Sequence, residues 1–419
     1  MSRPTKTQTI LASAALVAFA GYMLLWFAVK PRALAHSTTD FSCFYRAGSM
    51  VRAGQGHNVY DLTSEQEFDN ALGTVSVDAD GNRVSLPFVF APFTLALFMP
   101  LATLPYHQAE FVWYSMNVGM LLALPAYLSK PLNPNTKGVV IALLTPLVFL
   151  PVILALLQGQ PTILLLVLFT VAYGDLCRGQ EARAGIWLGL AGFKPQLVLP
   201  MLLALIVWRR RRMLQAFVLT CGGLMVASIW IVGWQATLGY PRAVMQYANM
   251  EGRPGGEHPA SMPNLRGCLY SALHARLTPL SLQQTTVAIS LLLLAAMAFI
   301  LWRQKHVSPY GFSLVVLVTL LTSYHAYLHD DSLLLLPCLI AGTEILCNGK
   351  PATQLLIATC IGLIFLVPLA PTSLSATAGQ MALTILVFAT LIAIQMLTEA
   401  PRVTTLVSGA QRRSAILGY

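Results

Sequence analysis

Long apolar runs separated by short polar clusters dominate the pattern of this chain of 419 residues. A helix needs about 20 consecutive, mostly apolar residues to cross the hydrocarbon core of a bilayer. Runs that reach or approach this length predict membrane spans at 10–30, 108–128, 138–157, 161–176, 213–233, 283–302, 308–325, 332–347, 352–370 and 377–397. The pattern predicts an all-α polytopic membrane protein, because helices satisfy their own backbone groups in lipid.

Two further apolar stretches need a physical argument before they are assigned. Stretch 184–208 is interrupted by Lys194-Pro195, and a single span would hold this charge near the middle of the membrane at high cost. We predict two short helices that meet at this dipeptide, because proline favours a break. Segment 88–104 contains two prolines, and we predict a juxtamembrane or re-entrant element that does not cross. These assignments give a bundle of about twelve spans.

The composition supports lipid as the solvent for much of the chain. Only 10% of the residues are charged and 56% are hydrophobic, whereas soluble domains carry about 25% charged residues. The net charge is +10, and the basic residues stand in short clusters between apolar runs. Lys and Arg held in cytoplasmic loops explain this excess. A nucleic-acid partner would need a basic face with interleaved aromatic residues, so we expect none.

The basic clusters also predict an orientation. The run Arg209 to Arg212 marks the cytoplasm most sharply, and consistent placement of the other clusters leaves both termini cytoplasmic. We expect one integral membrane domain over 1–419, in the inner or plasma membrane, with its chemistry on the periplasmic or extracellular side. That side receives loop 31–107 with its juxtamembrane elements, the Gln158 to Gln160 turn with the Lys194 bend, loop 234–282, and segment 323–331.

Asp40 is the first candidate for chemistry. Thr39 or Asp40 is a suitable N-cap for a helix over 41–53, which Gly54 would end. Asp40 therefore lies at a helix start directly after a predicted span. Its carboxylate either caps this helix or acts as a general base on a hydroxyl group.

Several motifs together resemble glycosyltransferase family 87 of the GT-C superfamily. The first-loop residues that carry the resemblance are Asp40-Phe41, Tyr45, Ala47, Gly54 and Tyr60-Asp61. The later matches, in the family's order, are Phe90-Ala91-Pro92-Phe93, Pro100-Leu101, Leu104-Pro105, Gly159-Gln160, Ala184-Gly185, Gly189-Leu190, Lys194-Pro195 and Ser323-Tyr324-His325 through Asp331. Ala91 stands where the family has a first proline. The resemblance covers roughly 35–340, taking the motif order as the criterion.

The resemblance implies a GT-C-like helical bundle with non-cytoplasmic catalytic loops. It implies a hexosyltransferase that uses a polyprenyl-phosphate sugar rather than a nucleotide sugar. Family members resemble mannosyltransferases of the cell envelope, so the implied acceptor is a glycolipid or glycan. It further implies an inverting displacement with a first-loop carboxylate as the general base, which is Asp40 here.

A leaving phosphate needs hydrogen-bond donors or cations. Lys194 is our first candidate, together with Arg46 or Arg266. The alternatives are a Lys194 that extends to the interface without a ligand, and arginines that are ordinary solvated charges. We expect neither a metal nor another cofactor, because lysine and arginine can neutralise a monophosphate.

Segment 325–331 is dense in ionisable groups. We predict a sugar or acceptor pocket formed by Tyr45, Gln160, Asn264, His325, His329, Asp330 and Asp331. A polar loop without a ligand is the plainer alternative. If the segment is helical, the i,i+4 spacing of His325 and His329 also suits two metal ligands, although no HExxH pattern is present.

Two other questions stay open on the sequence. Cys43 and Cys268 are both predicted outside the membrane, where they either pair or remain as thiols. A multi-pass transporter or a flippase for a lipid-linked sugar is the rival function. The ionisable residues gather at span ends and in loops, which favours an interfacial enzyme.

Overall fold

The computed structural model describes residues 5–33, 39–77, 83–132, 136–251, 256–304, 307–340 and 351–398. These residues are almost entirely helical, so the predicted all-α class is confirmed. One short antiparallel pair of strands, β1 (Ser76–Val77) and β2 (Arg83–Val84), interrupts the helices, with Ser76 opposite Val84.

The N-terminal part combines one long helix with a compact polar loop. Helix α1 (Lys6–Leu24) continues through a π-helical turn, Leu25–Val29, to a last turn at Lys30–Ala33. The loop then folds into α2 (Phe41–Arg52), α3 (Leu62–Leu72) and the single turn α4 (Leu95–Phe98). No helix within 88–104 is long enough to cross a membrane, as predicted.

The remaining helices form the apolar bundle. In chain order they are α5 (Tyr106–Leu132), α6 (Thr136–Val148), α7 (Leu150–Gln158), α8 (Thr162–Cys177), α9 (Glu181–Leu190), α10 (Pro195–Val207), α11 (Arg211–Ala248), α12 (Leu265–Leu273), α13 (Pro279–Gln304), α14 (Pro309–Thr322), α15 (335–340), α16 (Pro351–Leu366) and α17 (Leu374–Thr398).

Six helices in the described ranges are long and apolar enough to cross a membrane, and α6 with α7, bent by 60°, would make seven. The predicted total of about twelve spans is not confirmed. The reason is length: α8, α10 and α14 have 16, 13 and 14 residues. The predicted span 332–347 lies partly outside the described residues.

The predicted break at Lys194-Pro195 is confirmed. Helix α9 ends at Leu190, a 3₁₀ turn covers Ala191–Phe193, and α10 begins at Pro195. Lys194 itself has φ −118° and ψ 75°, outside the helical region. The polar residue therefore sits at the junction of two helices, where its side chain can reach groups from neighbouring elements.

Small residues set the close packing of α9 against α11. A Cβ atom at Gly185 would overlap the carbonyl oxygen of Met213, and one at Gly189 would lie 2.6 Å from the Cβ of Thr220. Small residues allow helix backbones to approach closely in membranes. Gly185 and Gly189 of the family-like motif thus serve helix packing here.

An aromatic core holds the first loop on the bundle. This core contains Phe41, Phe44, Phe88, Phe98 and Trp113, each at most 1% exposed. Phe44 stacks on Phe98 with ring centroids 4.6 Å apart, and Phe98 also contacts Trp113 of α5. The start of α2, where Asp40 lies, is fixed to the bundle by this packing.

Candidate functional site

A cavity of about 520 Å³ lies where the first loop meets the Lys194 bend and segment 323–331. Four pieces that are distant in the sequence converge here, as the predicted topology requires. Loop 234–282 contributes Tyr247, near the end of α11, together with Gly256, His258 and Ser261. The polar and ionisable residues that line it include Asp40, Gln158, Gln160, Lys194, His325 and His329.

Asp40 occupies the N-cap position of α2, but its side chain does not cap the helix. Its Oδ2 instead accepts a hydrogen bond of 2.7 Å from Nε2 of Gln160. Oδ1 accepts no hydrogen bond within the described part of the chain, and the residue is half-buried on the cavity wall. The capping alternative is therefore wrong, and one carboxylate oxygen remains available to a bound molecule.

A turn with a fixed conformation at Gly159 places Gln160 beside Asp40. Gly159 ends α7 with φ +68°, a conformation that favours glycine, and its carbonyl oxygen accepts a 2.8 Å hydrogen bond from Nε1 of Trp113. A Cβ atom at Gly159 would also lie 2.7 Å from the Cβ of Phe41. Glycine is thus required here twice, for its backbone angle and for the contact with the residue after Asp40.

Thr39 anchors the chain directly before Asp40. Its hydroxyl donates a 2.6 Å hydrogen bond to Oε1 of Glu110 and lies 3.2 Å from the hydroxyl of Tyr106. Lys30 at the end of the first span pairs with the same Glu110 oxygen at 2.6 Å. The sequence gives no signal for this network, because Glu110 beside the start of a predicted span resembles a simple interfacial anchor.

Lys194 and Asp330 form a buried ion pair on the cavity wall. Nζ of Lys194 lies 2.5 Å from Oδ1 of Asp330, 3.3 Å from the hydroxyl of Thr162 and 3.5 Å from Oε1 of Gln160. Burial alone would raise the pKa of Asp330, but the Lys194 charge holds it well below its usual range. All three ammonium protons thus have an oxygen partner, and Lys194 is not a cation that merely extends to the interface.

His329 lies between the ion pair and Gln158. Its Nδ1 is 2.9 Å from Oε1 of Gln158, and its Nε2 is 3.5 Å from Oδ2 of Asp330. Burial lowers the pKa of His329 to about 4, in spite of the nearby Asp330 carboxylate. The imidazole is therefore neutral near pH 7, and it links the ion pair to the end of α7.

Glu257 is a site residue that the sequence did not reveal. It is 2% exposed, and its two oxygens lie 3.0 Å from Nδ1 of His325 and 2.5 Å from Nη1 of Arg266. Burial would raise the pKa of Glu257, but the hydrogen bond from His325 and the charge of Arg266 lower it below the usual range. The only sequence signal was an acidic residue in a glycine-rich loop, which is unspecific.

Arg266 is therefore a partner of carboxylates. Besides Glu257 it pairs with Glu251 at 3.1 Å, and it donates to the carbonyl oxygen of Tyr324 at 3.2 Å. This placement orients His325 through Glu257. It leaves Arg266 less suited to phosphate binding than we expected.

Arg46 does not line the cavity. It fits neither of its predicted roles, which were a phosphate ligand and a solvated surface charge. It is 0% exposed, pairs with Glu65 and with Asp69 at 2.5 Å, and donates to the carbonyl oxygen of Leu86 at 2.8 Å. It is neither a solvated surface charge nor an available phosphate ligand, because two carboxylates already neutralise it.

Three other predicted pocket residues do not line the cavity. The hydroxyl of Tyr45 donates to the carbonyl oxygen of Leu104 at 2.8 Å. Asn264 caps α12 through Gly267 N at 2.9 Å and donates to the carbonyl oxygen of Ser323 at 3.0 Å. Asp331 is 0% exposed, neither of its oxygens has a hydrogen-bond partner among the described residues, and burial raises its pKa well above the usual range.

The two histidines do not share a ligand site. Segment 323–329 is not helical, so the i,i+4 condition for a common face fails. Across the described ranges, no group of three His, Cys, Asp or Glu residues is placed to hold a metal ion. Cys43, on the cavity wall, and Cys268 are both free thiols, so the pairing alternative is wrong.

A bundle of membrane-length helices that carries buried carboxylates, histidines and a lysine around one cavity is typical of a membrane-embedded enzyme. The family model Glycosyltransferase family 87 matches residues 88–323, more than half of the 419 residues. The chain belongs to this family and is a membrane glycosyltransferase. No curated protein and no solved structure shows a significant match to the chain.

The matched range includes the Gly159-Gln160 turn and the Lys194 bend but begins after Asp40 and ends before His325. The family assignment therefore rests on residues 88–323 alone. The roles of Asp40 and of segment 325–331 depend on the geometry of the cavity.

Proposed function

We propose that the protein transfers a hexose from a polyprenyl-phosphate donor to a hydroxyl group of a glycolipid or glycan, with Asp40 as the general base. The observation that carries this proposal is the Asp40 carboxylate itself. It lies on the cavity wall, contributes nothing to capping α2, and is held by Gln160 through one oxygen only.

The proposed reaction is an inverting displacement. The acceptor oxygen attacks the anomeric carbon, the bond from that carbon to the phosphate oxygen breaks, and the phosphate leaves with the bonding electron pair. The proton of the acceptor hydroxyl passes to Asp40. The hydrogen bond from Gln160 fixes the carboxylate plane, so that Oδ1 can meet an acceptor hydroxyl in the cavity.

The leaving phosphate carries negative charge that the site must stabilise. We propose Lys194 for this role, in competition with Asp330, which holds the same ammonium at 2.5 Å. Gln160, whose side-chain amide donates to Asp40, is a hydrogen-bond donor on the same wall. Arg46 no longer belongs to this proposal, because Glu65 and Asp69 neutralise it away from the cavity.

The finer assignments follow from the family and from the charge pattern. Mannose is our preferred hexose, because the family resembles mannosyltransferases. The positive cluster from Arg209 to Arg212 supports a site on the periplasmic or extracellular side of the inner or plasma membrane. A transporter or flippase is not proposed, because the matched family is one of glycosyltransferases.

The test is Asp40→Asn in the purified protein, assayed with a series of polyprenyl-phosphate hexoses. Loss of a general base should lower turnover by about 10²–10⁴-fold, while expression and unfolding temperature stay unchanged. The matched control is Asp61→Asn. Asp61 is the N-cap of α3, is exposed, and accepts from Ser64 N at 2.8 Å, so asparagine can replace it in that role. Undiminished turnover of the Asp40 variant would remove it as the base.

A further inference from the structure

Helix α11 is too long to be a simple membrane span. A straight helix of its 38 residues would measure about 57 Å, whereas the hydrocarbon core is about 30 Å thick. The helix breaks at Gly233, which has φ 84° and ψ 163°. Residues 211–232 already extend about 33 Å, enough to cross the core alone. The remaining helix, residues 234–248, is therefore not needed to cross the core. We call it the post-kink helix.

The post-kink helix has three distinct faces. Its outer apolar face is exposed at Trp234 (61%), Leu238 (65%) and Met245 (68%), a spacing that keeps these side chains on one side. One residue further round, a second exposed row is polar and consists of Gln235, Arg242 and Gln246. The buried face includes Ala236 and Thr237.

The inner face of this helix belongs to the walls of the cavity. Tyr247 lines the cavity and packs against the ring of His325 with centroids 5.6 Å apart. Tyr240 lies 5.9 Å from the ring of Tyr60, whose hydroxyl donates to the carbonyl oxygen of Phe90 at 2.6 Å. Phe90 is itself a lining residue. The helix thus joins the cavity on one side and is exposed on the other.

We propose that the post-kink helix lies along the membrane–water interface, with Trp234, Leu238 and Met245 in the outer acyl region and Arg242 among the lipid phosphates. A helix with one apolar and one polar exposed face has the form of an interfacial helix. The third face, packed on the protein, holds it at the level of the cavity.

The bilayer is the occupant that the exposures favour. The exposed apolar surface is continuous with that of the preceding span, where Leu219 is 76% and Val226 is 55% exposed. Trp230, 86% exposed, and Trp234 flank the kink, and tryptophan prefers the interface. Three large side chains in one row also offer less area than a stable protein–protein interface buries.

This placement has a consequence for access. A wall of the cavity lies at headgroup depth, because the helix that forms it contacts lipid with its opposite face. A lipid whose headgroup is to be modified can therefore approach the cavity from the plane of the membrane. The proposal does not depend on the reaction assigned to the site, and it is tested without an activity assay.

Tryptophan quenching in vesicles gives the first test. The chain has seven tryptophans, so the contribution of Trp234 is the difference between the wild-type protein and Trp234→Phe. We expect that contribution to be quenched more by lipids brominated at shallow acyl carbons than by lipids brominated near the chain end, and little by aqueous iodide. Strong iodide quenching would place the face in water and overturn the proposal. Insensitivity to all three quenchers would mean that protein covers it, which also overturns it.

Cysteine labelling gives the second test with a matched pair. Leu238→Cys lies on the apolar face and Gln235→Cys on the polar face, both exposed. In membranes a charged maleimide should label position 235 several-fold faster than position 238, with the wild-type chain as the blank. Equal rates would contradict the interfacial placement. Oxidative crosslinking of Leu238→Cys between two chains would assign the face to a second copy instead.

Discussion

At the scale of single residues, charge inside the cavity wall is balanced locally. Lys194 is neutralised by Asp330, and Arg266 by Glu257 and Glu251. Breaking a buried pair by removal of one partner costs about 3–5 kcal/mol, because the other charge stays buried. Each of these residues therefore affects folding as well as binding, and their substitutions need a stability measurement beside any activity measurement.

His329 should make the protein less stable as the pH falls. Its pKa falls from the ordinary 6.5 to about 4 in the folded state, so the unfolded chain binds more protons between these values. Stability should be fully present above pH 6.5 and decrease as the pH falls towards 4. The unfolding temperature of purified protein against pH measures this effect.

A substitution isolates the contribution of that residue. His329→Gln should flatten the decrease between pH 6.5 and 4, because glutamine has no proton to take up. The control is His274→Gln at an exposed histidine, which should leave the slope unchanged. An identical slope in wild type and His329→Gln would contradict a buried neutral imidazole.

At the scale of elements, the first loop is held by a charge cluster that also shapes the cavity. Arg46 of α2 donates to the carbonyl oxygen of Leu86, and Glu65 of α3 accepts from the backbone N–H of Phe88 at 3.2 Å. Leu86 lines the cavity. The cluster of Arg46, Glu65 and Asp69 thus fixes the backbone of one wall, which assigns Arg46 a positioning role.

The contact between α9 and α11 is sensitive to a single methyl group. Gly185→Ala places a Cβ against the backbone of Met213, which cannot move without displacing α11. Overpacking of this kind should lower the free energy of unfolding by about 1–3 kcal/mol. Thermal or denaturant unfolding in detergent measures the change.

The chain offers a matched glycine for that experiment. Gly222 lies in α11 with nothing within 4 Å of an added Cβ, so Gly222→Ala should be neutral or slightly stabilising. If both alanine variants unfold alike, the close approach of the two helices at Gly185 is wrong.

The sequence predicted elements whose cause is local and missed those whose cause is distant. The break at Lys194-Pro195 was predictable, because a buried charge and a proline both act at that position. The predicted span 213–233 ends at the kink, but the helix beyond Gly233 was not predicted, since residues 234–248 were assigned to a loop. Glu257 was missed and Arg46 was misplaced, because their roles depend on partners such as His325 and Asp69 that only folding brings near.

At the scale of the whole molecule, orientation in the membrane remains the prediction with the widest consequences. The positive cluster at Arg209 to Arg212 predicts that exposed residues of the first loop and of loop 234–282 share the opposite side. In sealed vesicles of one orientation, Gln55→Cys and His274→Cys should react together with an impermeant maleimide. Arg211→Cys should react only after the vesicles are opened.

The three positions are exposed, so failure to react reports the membrane and not burial. The wild-type chain is the blank for its own cysteines. If positions 55 and 274 react from different sides, the two loops cannot line one cavity, which contradicts the structure, because the cavity receives residues from both loops.

The ion pair of Lys194 and Asp330 also bears on how the site empties after a reaction. Asp330 is a resident anion that holds the ammonium whenever no phosphate is there. The Asp330 carboxylate therefore competes with any phosphate bound at Lys194 and, as part of the chain, cannot diffuse away. Under the proposed reaction, the spent lipid phosphate is retained weakly, and a new donor meets a vacated site. Strong product inhibition is accordingly not expected of the wild-type enzyme, and loss of the Asp330 charge should introduce it.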